Sequence, residues 1–154
     1  MSDPFELLEN RIKKVISGTG DFAGLHYFCQ LGTQQDDRGI TTLQLSGSGK
    51  ALLSWRGNAG SDIYTYAFDH EEMKDFYHLL NANPFWRQKP KRRNSKGDEV
   101  NVHMKISDNE SGTYNGVQFW TNDLPDFPVL DTLIHRIEKL FSVMSEQEIP
   151  SYFR

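Results

Sequence analysis

Apolar and polar residues alternate most regularly in the second half of the chain. Val100, Val102, Met104 and Ile106 alternate with polar neighbours. This period of two predicts a β-strand over residues 100–106 with one buried face and one solvated face. β-Branched and aromatic composition predicts five further strands, namely Leu25–Leu31, Ile40–Ser46, 51–56, 63–68 and 114–120. Short glycine-containing links between the first four strands favour an antiparallel meander, and residues 109–112 are expected to form a hairpin turn.

Two stretches near the ends of the chain instead place apolar residues three and four positions apart, the spacing of an amphipathic α-helix. In the first stretch, Asp3 and Glu6 have the spacing of a capping box, and Gly18 is suited to end the helix. The apolar residues of the first stretch are Phe5, Leu8, Ile12, Val15 and Ile16. Those of the last stretch are Leu130, Leu133, Ile134, Ile137, Leu140, Phe141 and Met144.

A third helix is predicted between the fourth and fifth strands. The carboxylate of Asp69 can accept from the free N–H groups of a first helical turn, and Glu72 can reach back to the N–H of Asp69. The apolar face of this helix consists of Met73, Phe76, Tyr77 and Leu80. Because proline disfavours helical geometry in the residue before it, Pro84 should end the helix near Asn81.

These elements follow the order α-ββββ-α-ββ-α and predict a single α+β domain over residues 1–154. We expect a largely antiparallel sheet of about six strands with the helices packed on one face. For the aromatic residues Tyr64, Tyr66, Trp55 and Trp120 there are two alternatives. They form an open aromatic face suited to binding, or they belong to the core. Residues 148–154 are expected to form a loosely ordered tail.

The segment between the third predicted helix and the next strand is strongly cationic. Residues 87–96, called the basic loop below, contain six basic residues and no acidic one. The basic residues are Arg87, Lys89, Lys91, Arg92, Arg93 and Lys96. The whole chain has a formal net charge of −4, so the rest of the molecule is clearly acidic. An acidic body disfavours general affinity for nucleic acid, which needs an attractive field.

The sequence carries no recognisable catalytic or metal-binding motif. Residues 47–50 superficially resemble a phosphate-binding loop, but Gln44 and Ala51 stand where that motif needs Gly and Ser or Thr. The five histidines lack metal-binding spacing, and Cys29, the single cysteine, allows no internal disulfide. Neighbouring acidic pairs are explained as turns and helix caps. We therefore predict no catalytic residue, no metal and no cofactor.

The ends of the chain and its longest apolar runs bear on location. The N-terminus lacks a signal-peptide pattern, and no apolar run approaches the roughly 20 residues of a membrane helix. A single cysteine makes a reducing compartment the simpler expectation. We expect a cytoplasmic protein without a membrane segment, and the sequence does not indicate its oligomeric state.

The basic loop is the feature that points most directly to a function. We hypothesise a non-enzymatic interaction module, such as an adaptor, inhibitor or immunity-type protein, whose loop cations bind an acidic partner protein. Trp86, next to the loop, is included in this surface because it could stack on an arginine or a base. The alternative is a ligand-binding or enzymatic domain with an aromatic pocket for an anionic small molecule. A third hypothesis, nucleic-acid binding through the same loop, requires a steep dependence on salt.

Overall fold

Six antiparallel strands form one sheet in the computed structural model, which describes residues 3–33 and 37–146. The strands are β1 (Leu25–Leu31), β2 (Ile40–Ser46), β3 (Lys50–Gly57), β4 (Gly60–Ala67), β5 (Asn101–Asp108) and β6 (Thr113–Trp120). The helices are α1 (Glu6–Ser17), α2 (His70–Ala82) and α3 (Pro128–Met144), with short 3₁₀ helices at Phe85–Arg87 and Thr121–Asp126. The strand order is β4-β3-β2-β1-β5-β6. The predicted α+β class and element order are confirmed.

The core lies between one face of the sheet and the helices. In β1 every second residue is buried, beginning with Leu25 and ending with Leu31. β5 shows the alternation that the sequence predicted, with Val102, Met104 and Ile106 buried. The apolar stripes of the helices cover this face, with Leu8 and Ile12 from α1, Tyr77 and Leu80 from α2, and Leu133 and Ile137 from α3 all buried in the same cluster.

Two of the predicted capping signals are found at the ends of the helices, and a third is not. α2 has the predicted capping box: the Asp69 carboxylate accepts from the N–H of Glu72 at 2.9 Å, and Glu72 accepts from the N–H of Asp69 at 3.2 Å. Gly18 ends α1 in the left-handed region with φ 81°, as predicted. The start of α1 differs, because the helix begins at Glu6 and the Asp3 carboxylate accepts from the N–H of Phe5 instead.

Strand β4 begins three residues before the predicted start. Gly57 pairs with Gly60, so only two residues form the turn between β3 and β4. The φ of 135° at Gly60 is accessible to glycine at little cost, which permits this tight connection. The strand ends at Ala67, one residue before the prediction.

The aromatic residues for which the sequence allowed either an open face or the core lie on both faces of the sheet. Tyr64 packs against the core, and the hydroxyl of Tyr66 donates to Glu72 of α2 at 2.8 Å. The indole N–H of Trp55 donates to the carbonyl of Arg38 at 2.7 Å. Trp120 lies on the other face, at the end of β6. These four residues therefore do not form one open aromatic face.

Some expectations concern residues outside the described part of the chain. The tail predicted at residues 148–154 lies there, as do residues 34–36 of the β1–β2 connection. Within the described residues, we find no helix that is both long enough and apolar enough to cross a membrane.

A buried arginine joins α1 to the β5–β6 hairpin. Arg11 is 4% exposed, and its Nε lies 3.4 Å from the Asp108 carboxylate and 2.9 Å from that of Glu110. Its terminal nitrogens donate to the carbonyls of Asp21 at 2.6 Å and Ala23 at 2.7 Å. Asp108 is itself buried. The arginine therefore neutralises a carboxylate that water does not solvate.

We predict that Arg11→Met destabilises the fold strongly, because it leaves Asp108 buried without its cation. Breaking a buried ion pair in this way costs about 3–5 kcal/mol. Urea unfolding of the variant measures the loss. Lys13→Met, at an exposed position of the same helix, is the matched control and should change stability by about 0.5 kcal/mol or less. The double variant Arg11→Met/Asp108→Asn should recover part of the loss. A cost below about 1 kcal/mol for Arg11→Met would show that the pair is dispensable.

Candidate functional site

The basic loop is fixed to α1 at its first residue. The Arg87 guanidinium donates to Glu9 through Nε and Nη2, both at 2.6 Å, and to Asp3 at 2.5 Å. The hydrogen bonds from Arg87 lower the pKa of Glu9 and of Asp3. The indole N–H of Trp86 donates to the same Glu9 carboxylate at 2.9 Å. The charge of Arg87 is therefore neutralised within the molecule.

A second arginine fixes the loop near its other end. Arg93 makes a two-pronged contact with Glu99, at 2.8 Å and 2.7 Å, and also donates to Asp123 at 3.1 Å and 3.0 Å. The backbone carbonyl of Arg93 accepts from the indole N–H of Trp120 at 3.1 Å. The hydrogen bonds from Arg93 are the main reason that the pKa of the buried Glu99 side chain falls to about 2. The backbone N–H of Lys96 also donates to Glu99.

The other four cations of the loop face solvent. Lys89, Lys91, Arg92 and Lys96 are exposed, and none forms an ion pair within 4 Å among the described residues. Of the seven residues that the sequence assigned to partner binding, these four are both exposed and without an ion-pair partner among the described residues. Arg87 and Arg93 instead hold the loop in place, and Trp86 is 4% exposed and belongs to the core. The predicted stacking surface of Trp86 is therefore covered by the protein itself.

Two shallow grooves run between the loop and the end of the sheet. One, of about 400 Å³, has Gln88, Lys89, Pro90 and Arg92 on the loop side, with Tyr114 and Gly116 among the residues on the sheet side. The other, of about 410 Å³, lies between residues 91–94 of the loop and the last part of β6. Arg92 borders both. Gly116 has no side chain, and the side chains of Lys105 and His103 lie beside it.

The charge around the loop changes towards its C-terminal end. A neighbouring groove of about 750 Å³ is lined by Asp37, Asp98 and Glu99 together with Arg38. Lys96 lies next to these carboxylates in the chain. Among the exposed cations of the loop, Lys89, Lys91 and Arg92 therefore lie farther along the chain from these carboxylates than Lys96 does.

Among the described residues, the layer between the sheet and the helices is filled with large apolar side chains. Its large side chains Tyr27, Tyr77, Phe85 and Phe119 are fully buried. Burial also raises the pKa of the Cys29 thiol to about 12, so that this cysteine is an inert core residue. Among the described residues, no three His, Cys, Asp or Glu side chains come together in a way that suits a metal ion.

No protein-family model matches the chain, and no curated protein matches it. The geometry of the loop is therefore the basis for a functional assignment. The carboxylates that neutralise Arg87 were missed in the sequence, because Glu9 and Asp3 lie 78 and 84 residues away along the chain. For Arg93, the nearby Glu99 is a local signal, since it is six residues away.

The stability that the Arg93–Glu99 pair contributes should depend on pH. Because folding lowers the pKa of Glu99 from 4.5 to about 2, this contribution is fully present above the ordinary value. It is lost as the pH falls through about 2. We predict that Glu99→Gln unfolds at lower urea concentration than the wild type near neutral pH.

Comparing the urea midpoints of Glu99→Gln and the wild type at acidic pH tests whether the effect depends on the charge of Glu99. The difference between Glu99→Gln and the wild type should shrink as Glu99 becomes protonated. Urea midpoints measured from about pH 7 to about pH 2.5 test this. Asp126→Asn, at an exposed position nearby, is the control and should follow the wild type. A difference that stays constant over the whole range would contradict the assigned pair.

Proposed function

We propose that this chain is a small non-enzymatic interaction module that binds an acidic partner protein through the basic loop. The observation that carries the proposal is that Lys89, Lys91 and Arg92 are exposed and form no ion pair with a carboxylate in the described part of the chain. Positive charge displayed in this way attracts an acidic surface and accelerates encounter with it. An adaptor, an inhibitor or an immunity-type protein would use such a surface.

The anchored ends of the loop support this proposal. Arg87 holds the loop to α1, and Arg93 holds it to the residues that follow β6. The backbone that carries the cations between them is therefore ordered before a partner binds. A preordered binding segment loses less conformational entropy when the partner arrives. The two arginines thus have a positioning role, whereas the exposed cations would touch the partner.

The alternative, an aromatic pocket for an anionic small molecule, has weaker support. Small-molecule sites are concave and bury most of the ligand. The layer between sheet and helices is filled, and the grooves beside the loop are shallow and open. Nucleic-acid binding is also less favoured, because Trp86 is buried and the net charge of the chain is −4. The single, buried cysteine fits a reducing compartment, and we place the module in the cytoplasm.

Reversing the exposed loop charges tests the proposal. A fluorescently labelled poly-L-glutamate of about 20 residues serves as the acidic probe, and polarisation at low salt measures its affinity. We predict that Lys91→Glu/Arg92→Glu weakens binding at least about tenfold, or ~1.4 kcal/mol. Arg93 is left unchanged because its substitution would release the loop.

A matched control variant separates the effect of the loop position from the effect of a changed net charge. Lys13→Glu/Lys139→Glu changes the net charge equally, at exposed positions on α1 and α3. We expect this control to bind within about twofold of the wild type. Equal weakening in both double variants, or none in either, would refute the loop as the binding site.

A further inference from the structure

The face of the sheet that the helices leave uncovered has an unusual composition. By the strand register and the alternation of burial, this open face carries the even-numbered residues of β1, β2, β3 and β6 and the odd-numbered residues of β4 and β5. None of them is Asp or Glu, although these two types make up 21 of the 154 residues of the chain. The charged residues of the open face are Lys50, Arg56 and Lys105.

The positive residues are spread across the width of the sheet. Lys50 and Arg56 lie on β3, and Lys105 lies on β5, next to the strand that borders the basic loop. The described carboxylates lie in the helices, in the connections and on the helix-covered face of the strands. The two sides of the molecule therefore differ in the sign of their charge, and the basic loop lies at the edge of the positive side.

Apolar groups accompany these cations. Phe28 stands in the centre of the open face, with the Nζ of Lys105 4.7 Å from its ring centroid and the His103 ring in edge contact at 6.0 Å. Leu52 lies in the same transverse row of the sheet. At the edges, Ile63 is 71% exposed and Tyr114 is 66% exposed. Apolar contact area interspersed with cations is a composition suited to a protein interface.

We propose that the open face and the basic loop form one docking surface for an acidic polypeptide that crosses the strands from the loop at β6 to β3, where Lys50 and Arg56 stand at opposite ends of the strand. This inference rests on the proposed function and extends its site. From β6 to β3 there are four strand spacings, about 19 Å, which an extended segment of about six residues spans. The opposite charge of the occupant follows from the absence of carboxylates on this face.

A polypeptide fits this surface better than a nucleic acid does. Binding of single strands relies on aromatic planes that are free to stack on bases. Of the three large aromatic residues on the open face, Phe28 is already in contact with Lys105 and His103. The indole of Trp120 is engaged with the carbonyl of Arg93. Tyr114, at 66%, is the most exposed of the three, so the face offers one well-exposed ring for stacking.

The test uses the labelled poly-L-glutamate probe with a charge-reversed face, Lys50→Glu/Arg56→Glu. We expect the full-length variant to bind the probe about tenfold more weakly than the wild type. The neutral variant Lys50→Gln/Arg56→Gln should weaken binding in the same direction but less. Lys13→Glu/Lys139→Glu is again the matched control. Near-unchanged circular dichroism and thermal unfolding confirm that each variant is folded.

The possible outcomes separate this inference from the proposed function. If loop reversal weakens binding and face reversal does not, the extended surface is refuted while the loop remains the site. If neither reversal weakens binding, both proposals are refuted. Labelled oligo(dT) of about 20 nucleotides provides the competing occupant. Tighter binding of oligo(dT) than of poly-L-glutamate, with loss in the same variants, would overturn the choice of a polypeptide.

Discussion

Three helices cover one face of a six-stranded sheet, and this one-sided burial governs the rest of the structure. Every strand except β4, which has no buried residue, buries side chains on one face only, so the side chains of the other face must be compatible with water. The chain must also return from the helix layer to β5 by passing the end of the sheet. The basic loop makes this passage. Its position next to the open face is thus a consequence of the topology.

The arginines of the loop show how similar side chains serve different purposes. Arg87 and Arg93 form several charge-assisted hydrogen bonds each with the protein's own carboxylates, a geometry that suits the planar guanidinium. Arg92, next to Arg93, is exposed. Counting basic residues in the loop therefore overestimates the charge that another molecule would encounter. Arg87 and Arg93 thus fix the loop on either side of the exposed cations Lys89, Lys91 and Arg92.

Most of the fold was accessible to reasoning from the sequence, because local rules determined it. The alternation from Val102 to Ile106 and the capping box of Asp69 and Glu72 both depend on near neighbours in the chain. The start of α1 was placed too early, since the Asp3 carboxylate also serves Arg87, far away in sequence. The burial of Arg11 could not be predicted, because its carboxylate partners lie on the β5–β6 hairpin, far away in sequence.

The candidate site was only partly accessible from the sequence. The cluster of cations is visible in the primary structure, but the division between anchored and displayed residues depends on long-range contacts. The absence of carboxylates from the open face likewise emerges only when the register of all six strands is known. Sequence alone places Arg56 at the end of one predicted strand, Lys50 just before the start of that strand, and Lys105 on another strand, whereas the sheet brings all three onto one surface.

We propose that acidic polypeptides bind where the basic loop meets the open face of the sheet. The most direct measurement is a titration of ¹⁵N-labelled protein with unlabelled poly-L-glutamate, followed by amide chemical shifts. The account predicts that the largest shifts cluster at residues 88–92 and on the strands from β6 to β3, with the outer surfaces of the helices unaffected. Shifts spread evenly over all exposed lysines, including Lys13 and Lys139, would contradict it.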